Sequence, residues 1–231
     1  MDFRKLLNLV TGNTILHTGT PTGSGLALEE IDYMISRGMG RQVTVGAFST
    51  GIVGGGAGTI LDLDQPELVI GVPAGVVIRP LRFSAQVQVA LVAADNEENE
   101  ILLAVDSLGA WNGDGTFTLE TPSNMRTSSL VGSACAVGSA FSADMTTKPV
   151  NGPAADPVLD IELARAVETF DIFSTGVGVL LKRIDLLYEP IHPPYLVGPA
   201  SLIVYFGGTV ANVGGFIQGA WIEGTPAQFY L

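Results

Sequence analysis

His17 and His192 are the only imidazoles in the chain, and each stands beside Thr or Pro in an apparent loop. A cupin-type metal enzyme needs a close His-x-His pair with a further Glu and His, and this chain does not contain that set. The one imidazole site left open is two histidines with a carboxylate. Nucleophilic hydrolysis in the elbow arrangement needs Gly-x-Ser-x-Gly, which is absent. Ser24 sits between Gly23 and Gly25 with the wrong spacing and no preceding strand, so a loop is expected there. The run Gly54-Gly55-Gly56-Ala57-Gly58-Thr59 invites a phosphate cradle, but a P-loop ends in Gly-Lys-Ser/Thr and no lysine is near. Glycine here serves positive φ or close backbone contact instead.

Carboxylates are more numerous. Asn112-Gly113-Asp114-Gly115 has the look of a calcium loop, yet an EF-hand register places Ala110 and Thr121 where carboxylates belong. A tight hairpin turn is the expectation, with a weak calcium site using Asp106 or Asp114 as the alternative. Glycoside hydrolysis on a sandwich fold would use a carboxylate pair, and acids cluster in Asp95-Asn96-Glu97-Glu98-Asn99-Glu100. With 23 acids present some pair always falls at a suitable distance, so that run is expected to be a solvated turn between strands. Cys135 lies among small residues, in Ser133-Ala134-Cys135-Ala136-Val137, and is expected to be a buried, inert thiol. As the single cysteine it excludes an intrachain disulfide or a cysteine zinc site. No catalytic residue, metal or cofactor is expected.

Composition sets the frame. The chain has 231 residues, 47% apolar and 15% charged, with a formal net charge of −12. This is too apolar for disorder and is sized for one large all-β domain. Lys5, Lys148 and Lys182 and eight arginines are scattered singly, so direct nucleic-acid binding is disfavoured. The opening MDFRKLLNLVTG has too short an apolar stretch for a signal peptide. From Ile191 to Ile222 there is no charged residue, but interspersed Gly and Pro would break a spanning helix, so buried strands are expected.

Elements follow from periodicity. Phe3, Leu6, Leu7 and Val10 at helical spacing predict a short amphipathic helix over 2–10, and Leu28, Ile31 and Ile35 a second one ending at Gly38. Period two begins at Val43, Val45 and Ala47 and is clearest where Phe83, Ala85, Val87, Val89 and Leu91 alternate with Ser84, Gln86 and Gln88. Further strands are expected at 101–105, 116–119, 177–188, 202–206 and 216–221. Residues 158–170 suit a strand or a helix, with strand preferred; 50–58 and 121–157 read as long loops. The expected fold is all-β: a jelly-roll-like antiparallel sandwich over 40–231, preceded by a helical or extended arm over 1–39 with one or two short helices. Trp111 and Trp221 each adjoin a strand end, where such rings serve either the core or an interface.

From about residue 40 onward the chain resembles the single jelly-roll capsid proteins of tailless, icosahedral, often lipid-containing DNA viruses and phages. The resemblance is one of pattern: Val72-Pro73-Ala74-Gly75 leading into the Phe83–Leu91 strand, and 196–206 closing with Trp221-Ile222-Glu223. It implies a structural virion protein that self-assembles into an icosahedral shell without catalysis. The partners implied are copies of itself, other virion proteins and an internal membrane. It also implies assembly in the host cytoplasm, and a role for Phe3, Arg4, Lys5, Leu6, Leu7 and Val10 at a neighbour or that membrane. The mean hydropathy of +0.40 agrees with apolar surface buried between subunits. Two other classes stay open: a carbohydrate- or receptor-binding sandwich of a spike or tail, and a sandwich-fold glycosidase.

Overall fold

The computed structural model describes residues 23–46, 51–52, 61–91, 96–113, 115–145, 157–171, 180–208 and 212–229. The N-terminal segment Phe3, Arg4, Lys5, Leu6, Leu7 and Val10, His17, the glycine run 54–59, Asp95 and Asp114 lie outside the described residues.

Helix α1 (Gly23–Ser36) contains the Gly23-Ser24-Gly25 step read from sequence as a loop. It ends because Gly38 takes a φ of +79°, which an L side chain resists. Gly38 N donates to Ile35 O and Met39 N to Met34 O, the paired bonds of a Schellman cap. Strand β1 (Gly40–Val45) follows at once.

The remaining elements are β2 (Leu68–Val72), β3 (Val77–Leu91), β4 (Asn96–Asp106), β5 (Thr118–Leu119), β6 (Ser123–Asn124) and β7 (Ala136–Ser139). Then come β8 (Ile161–Asp171), β9 (Leu180–Tyr188), β10 (Leu196–Val197), β11 (Ala200–Gly208), β12 (Asn212–Gly224) and a 3₁₀ turn at Pro226–Phe229. The segment open to either reading at 158–170 is therefore strand from Ile161 onward, as β8. The acidic run is not a turn: Asn96 to Glu100 begin β4, with Asn99 and Glu100 both buried.

All strand pairs are antiparallel. The long strands β1, β2, β3, β4, β8, β9, β11 and β12 pair first with last (β1–β12), second with seventh (β2–β11), third with sixth (β3–β9) and fourth with fifth (β4–β8). Rolling that nested ribbon onto itself brings β12 beside β3 and β11 beside β4, giving sheets β1-β12-β3-β9 and β2-β11-β4-β8. This is an all-β jelly-roll sandwich, and the stretch 121–157 read as a long loop contains strands β6 and β7.

The excursion between β4 and β8 supplies the other short strands. β7 extends the second sheet beside β2 with β5 outside it, and β6 extends the first sheet beside β1. Because β4 and β5 do not pair, the Asn112–Gly115 turn between them is not a hairpin turn; Gly113 and Gly115 take positive φ there.

Three apolar clusters result. The first fills the space between the sheets and includes Phe83, Val87, Ile101, Leu103, Phe206, Ile217 and Trp221. The second lies on the outer face of the β2-β11-β4 sheet under the excursion, around Trp111, Phe141, Met145 and Tyr205. The third joins Met34 of α1 to Val77, Ile222 and Phe229 on the outer face of the first sheet. Strands β2 and β11 are thus buried on both faces, which is why they read as continuous apolar runs and not as alternations. A bulge at Leu81 lets β3 change parity: Ile78 points inward before it, and Phe83, Ala85 and Val87 after it.

Candidate functional site

The densest polar constellation lies where β1, β12, the end of α1 and the excursion meet. Arg41 is 3% exposed and donates through Nη1 to Gly38 O at 2.6 Å and Gly40 O at 3.1 Å, and through Nη2 to Gly132 O at 2.9 Å. Its Nε lies 3.9 Å from Glu223 Oε2. The buried Glu223 carboxylate accepts from Ala134 N at 2.6 Å, Ser133 Oγ at 2.6 Å and Trp221 Nε1 at 3.3 Å. A carboxylate beside Ser133 and Cys135 has the residue types of a nucleophile and base. Its oxygens, however, are committed to three donors and faced by a guanidinium, and Arg41, Glu223 and Cys135 are all buried. Burial first, and then the Glu223 carboxylate, push the Cys135 thiol far above the ordinary thiol range. The thiolate that would attack is therefore suppressed. A thiol reagent such as DTNB is expected to leave the native protein unlabelled and to titrate one thiol only after denaturation. Rapid labelling of the folded chain would contradict this assignment.

What the arrangement does is hold a loop. Asn124 Nδ2 donates to Gly38 O at 2.8 Å and Arg126 Nη1 to Ser36 O at 2.9 Å, so the excursion satisfies carbonyls left open at the α1 terminus. Between these anchors and the Glu223 clamp the chain carries Leu130, fully exposed at 101%, and Val131 at 64%.

A second set of polar contacts fastens the two roots of the excursion. Buried Asp106 accepts from Leu108 N at 2.8 Å and Val158 N at 3.0 Å, and Asp160 accepts from Ser107 N and Ser107 Oγ. For Asp160 the burial effect opposes ionisation, but the Ser107 hydrogen bonds prevail and hold the carboxyl below the ordinary aspartate range. Both Asp106 oxygens thus serve main-chain donors, while Asp114, the other residue considered for calcium, lies outside the described residues. Farther along β4, Arg165 joins the buried Glu100 at 2.6 Å and Glu162 at 2.9 Å. Among the described residues no three His, Cys, Asp or Glu side chains converge as metal ligands.

The tryptophans are both internal. Trp111 is 1% exposed and Trp221 fully buried within one chain, so neither ring offers surface to a neighbour. Trp111 N donates to Ser201 Oγ, which donates to Gly109 O, each at 2.9 Å, and the ring packs edge-on against Phe117 and Phe141. His192 is exposed on the β9–β10 connection. On the same connection stand Ile191 and Tyr195, 76% and 41% exposed, and Val197 follows on β10 at 51%. The Tyr195 ring is fixed by the Arg79 guanidinium 4.7 Å above it and by Phe229 edge-on at 5.6 Å. Neither this patch nor the Leu130 tip stands out in sequence by apolar periodicity, because both are irregular loops. The available signal is the stretch without charged residues that begins at Ile191 and, for the tip, the single charge Arg126 between Thr121 and Ala143.

The chain matches no protein-family model and no curated protein. Among solved structures it is similar to a chain in the three-dimensional structure of Cocksfoot mottle virus. That match has 13% identity over 82% of this chain and 96% of that one, with a TM-score of 0.22. Similarity at that score carries no argument, and the fold stands on the strand pairing above.

Proposed function

We propose that this chain is a structural subunit of a virus particle, building an icosahedral shell with copies of itself and carrying out no catalysis. The observation that carries the reading is the use made of polar and apolar side chains in this jelly roll. The buried carboxylates Glu223 and Asp106 and the Arg41 guanidinium fasten the excursion to the sandwich. Rigid loops meanwhile carry apolar side chains outward. That is the division of labour of a building block, in which loops meet neighbours. A jelly roll alone would not suffice, since the fold hosts many roles.

The particle belongs to the tailless DNA-virus or phage type that the sequence resembles, and the chain assembles in the host cytoplasm. Other virion proteins and an internal membrane are its further partners, with 1–39 as an arm preceding the 40–231 sandwich. The net charge of −12 fits a shell separated from its genome by such a layer.

Light scattering with negative-stain imaging across salt and pH tests the reading. Closed shells, sheets or capsomers are expected as concentration rises. A chain that stays at its single-copy mass of 24.1 kDa under all these conditions would reject self-assembly. A discrete trimer that binds glycans would instead favour the spike-module class. The uncharged row Gln42, Thr44, Ser84, Gln86 and Gln218 on the outer face of the first sheet is where a sugar would then lie.

A further inference from the structure

We infer that residues 2–10 of this chain dock on their own sandwich, over the Arg79 guanidinium and against Ile191, Tyr195 and Val197. The inference goes beyond the shell reading and does not rest on it.

The site is marked by an unpaired donor as well as by apolar surface. Single exposed apolar side chains need no explanation, but Arg79 does. Its side chain is 7% exposed, and its Nε and Nη1 are buried without a hydrogen-bond partner. The nearest acid, Glu30, stands 3.5 Å from Nη1, beyond the ordinary range for such a bond. Buried donors left so are costly, and acceptor oxygens of a segment laid over them relieve that cost. The same guanidinium lies 4.7 Å from the centre of the Tyr195 ring. Leu196 and Val197 pair with Ile78 and Val77, so Tyr195 comes level with Arg79 and shares a face with Val197.

The path of the chain names the occupant. Helix α1 crosses the first sheet from β3, where Glu30 meets Arg79, to β1, which follows it at Gly40. Gly23 lies two turns upstream of Glu30, roughly 10 Å farther toward the β10 side. Residues 1–22 therefore enter α1 from the side of the sheet that carries Val197. Residues 11–22 join the amphipathic stretch to α1, and a tether of that length reaches about 20 Å on average. At that reach the local concentration of the stretch is on the order of millimolar, so a contact of modest affinity is filled.

Chemical complementarity names the same occupant. Glu30 and the exposed Glu189 rim the patch. Residues 1–22 bring Arg4 and Lys5 against a single acid, Asp2, within a chain of net charge −12. They also bring Phe3, Leu6, Leu7 and Val10 at helical spacing to the apolar side chains. Docking thus sets cations against acids and apolar surface against apolar surface.

The test uses the full chain with two added thiols, Thr11→Cys beside the amphipathic stretch and His192→Cys beside Ile191. Cys135 is buried and does not compete. Under copper–phenanthroline oxidation the pair is expected to close within one chain, read on a denaturing gel as a faster band at single-copy mass. Thr11→Cys with Leu119→Cys is the control and should stay open, because Leu119 is 70% exposed on β5 at an edge of the other sheet. Adding Arg4→Glu and Lys5→Glu should slow closure about tenfold, since like charges then meet at the contact. Ile191→Asp should act likewise from the other side, with a thermal melt to verify folding. The Arg4 and Lys5 changes lie outside the described fold, so they decide the matter even where Ile191→Asp fails to fold. Equal closure onto Leu119→Cys, or a rate untouched by the charge reversal, overturns the inference. A covalent dimer in place of the internal bond puts the stretch on a second copy and overturns it too. None of these outcomes depends on assembly of the wild type, so the shell reading is tested separately.

Discussion

Replacing Glu223 by alanine is expected to destabilise the fold by about 3–5 kcal/mol, the cost of breaking a buried charge pair from one side. The substitution strands the Arg41 guanidinium, 3% exposed, without its counter-charge, and removes the acceptor from Ser133 Oγ, Ala134 N and Trp221 Nε1. For a chain of this size the melting temperature should fall by roughly 6–20 °C, at about 2–4 °C per kcal/mol. Glu223→Gln keeps the shape and one acceptor while removing the charge, so its loss should be intermediate. Thermal melts of the three proteins give the ranking. Cys135 supplies a second readout, since its thiol stays shielded only while the 132–135 segment is clamped. Native-state DTNB labelling should therefore accelerate in Glu223→Ala. A melting temperature within 2–3 °C of wild type, a loss near 1 kcal/mol, would mean that the clamp does not hold the excursion.

Gly71→Ala should be comparably severe for a different reason. A Cβ at Gly71 would lie 2.0 Å from Trp111 O and 2.9 Å from Trp111 C, so it meets main chain that no rotamer change can move. Gly71 stands opposite Ser201, whose hydroxyl binds Trp111 N and Gly109 O. The absent side chain thus forms the slot in which the excursion crosses the sheet. Adding the methyl group should cost at least about 3 kcal/mol, the upper part of the overpacking range, because backbone must shift in a core already filled. Gly132→Ala makes the same chemical change in open space, with no atom within 4 Å of the new Cβ. It should stay within about 0.5 kcal/mol of wild type. Denaturant melts of the pair decide the matter: equal midpoints would show that the Trp111 crossing yields at no cost.

Several parts of this architecture were legible in the residues. Alternation at Phe83, Ala85 and Val87 marked a strand with one dry and one wet face. The glycines and prolines after Ile191 excluded a spanning helix and left strands there. Gly38 marked the end of a helix. These signals are local, because backbone conformation and one-sided burial imprint a period on neighbouring residues.

Other features depend on what a segment meets. The Glu100 carboxylate looked like part of a solvated acidic turn, but Arg165, distant in sequence, makes a buried strand position tolerable for it. Asn112–Gly115 looked like a hairpin turn, yet its flanking strands reach different partners. Trp111 belongs to a core that exists only because the excursion folds back over β2 and β11, and the slots at Gly71 and Gly138 admit it.

The sequence by itself determined the class: an acidic, strand-rich chain without a recognisable catalytic motif, with apolar residues enough for a large core. The tertiary structure alone decided the nested strand pairing, the second covered face of β2 and β11, the Arg41–Glu223 clamp and the two apolar loops that remain exposed. The division has one physical cause. A strand's own residues record how many of its faces are dry, whereas the identity of the surface that dries each face is a long-range contact, and no local pattern encodes it.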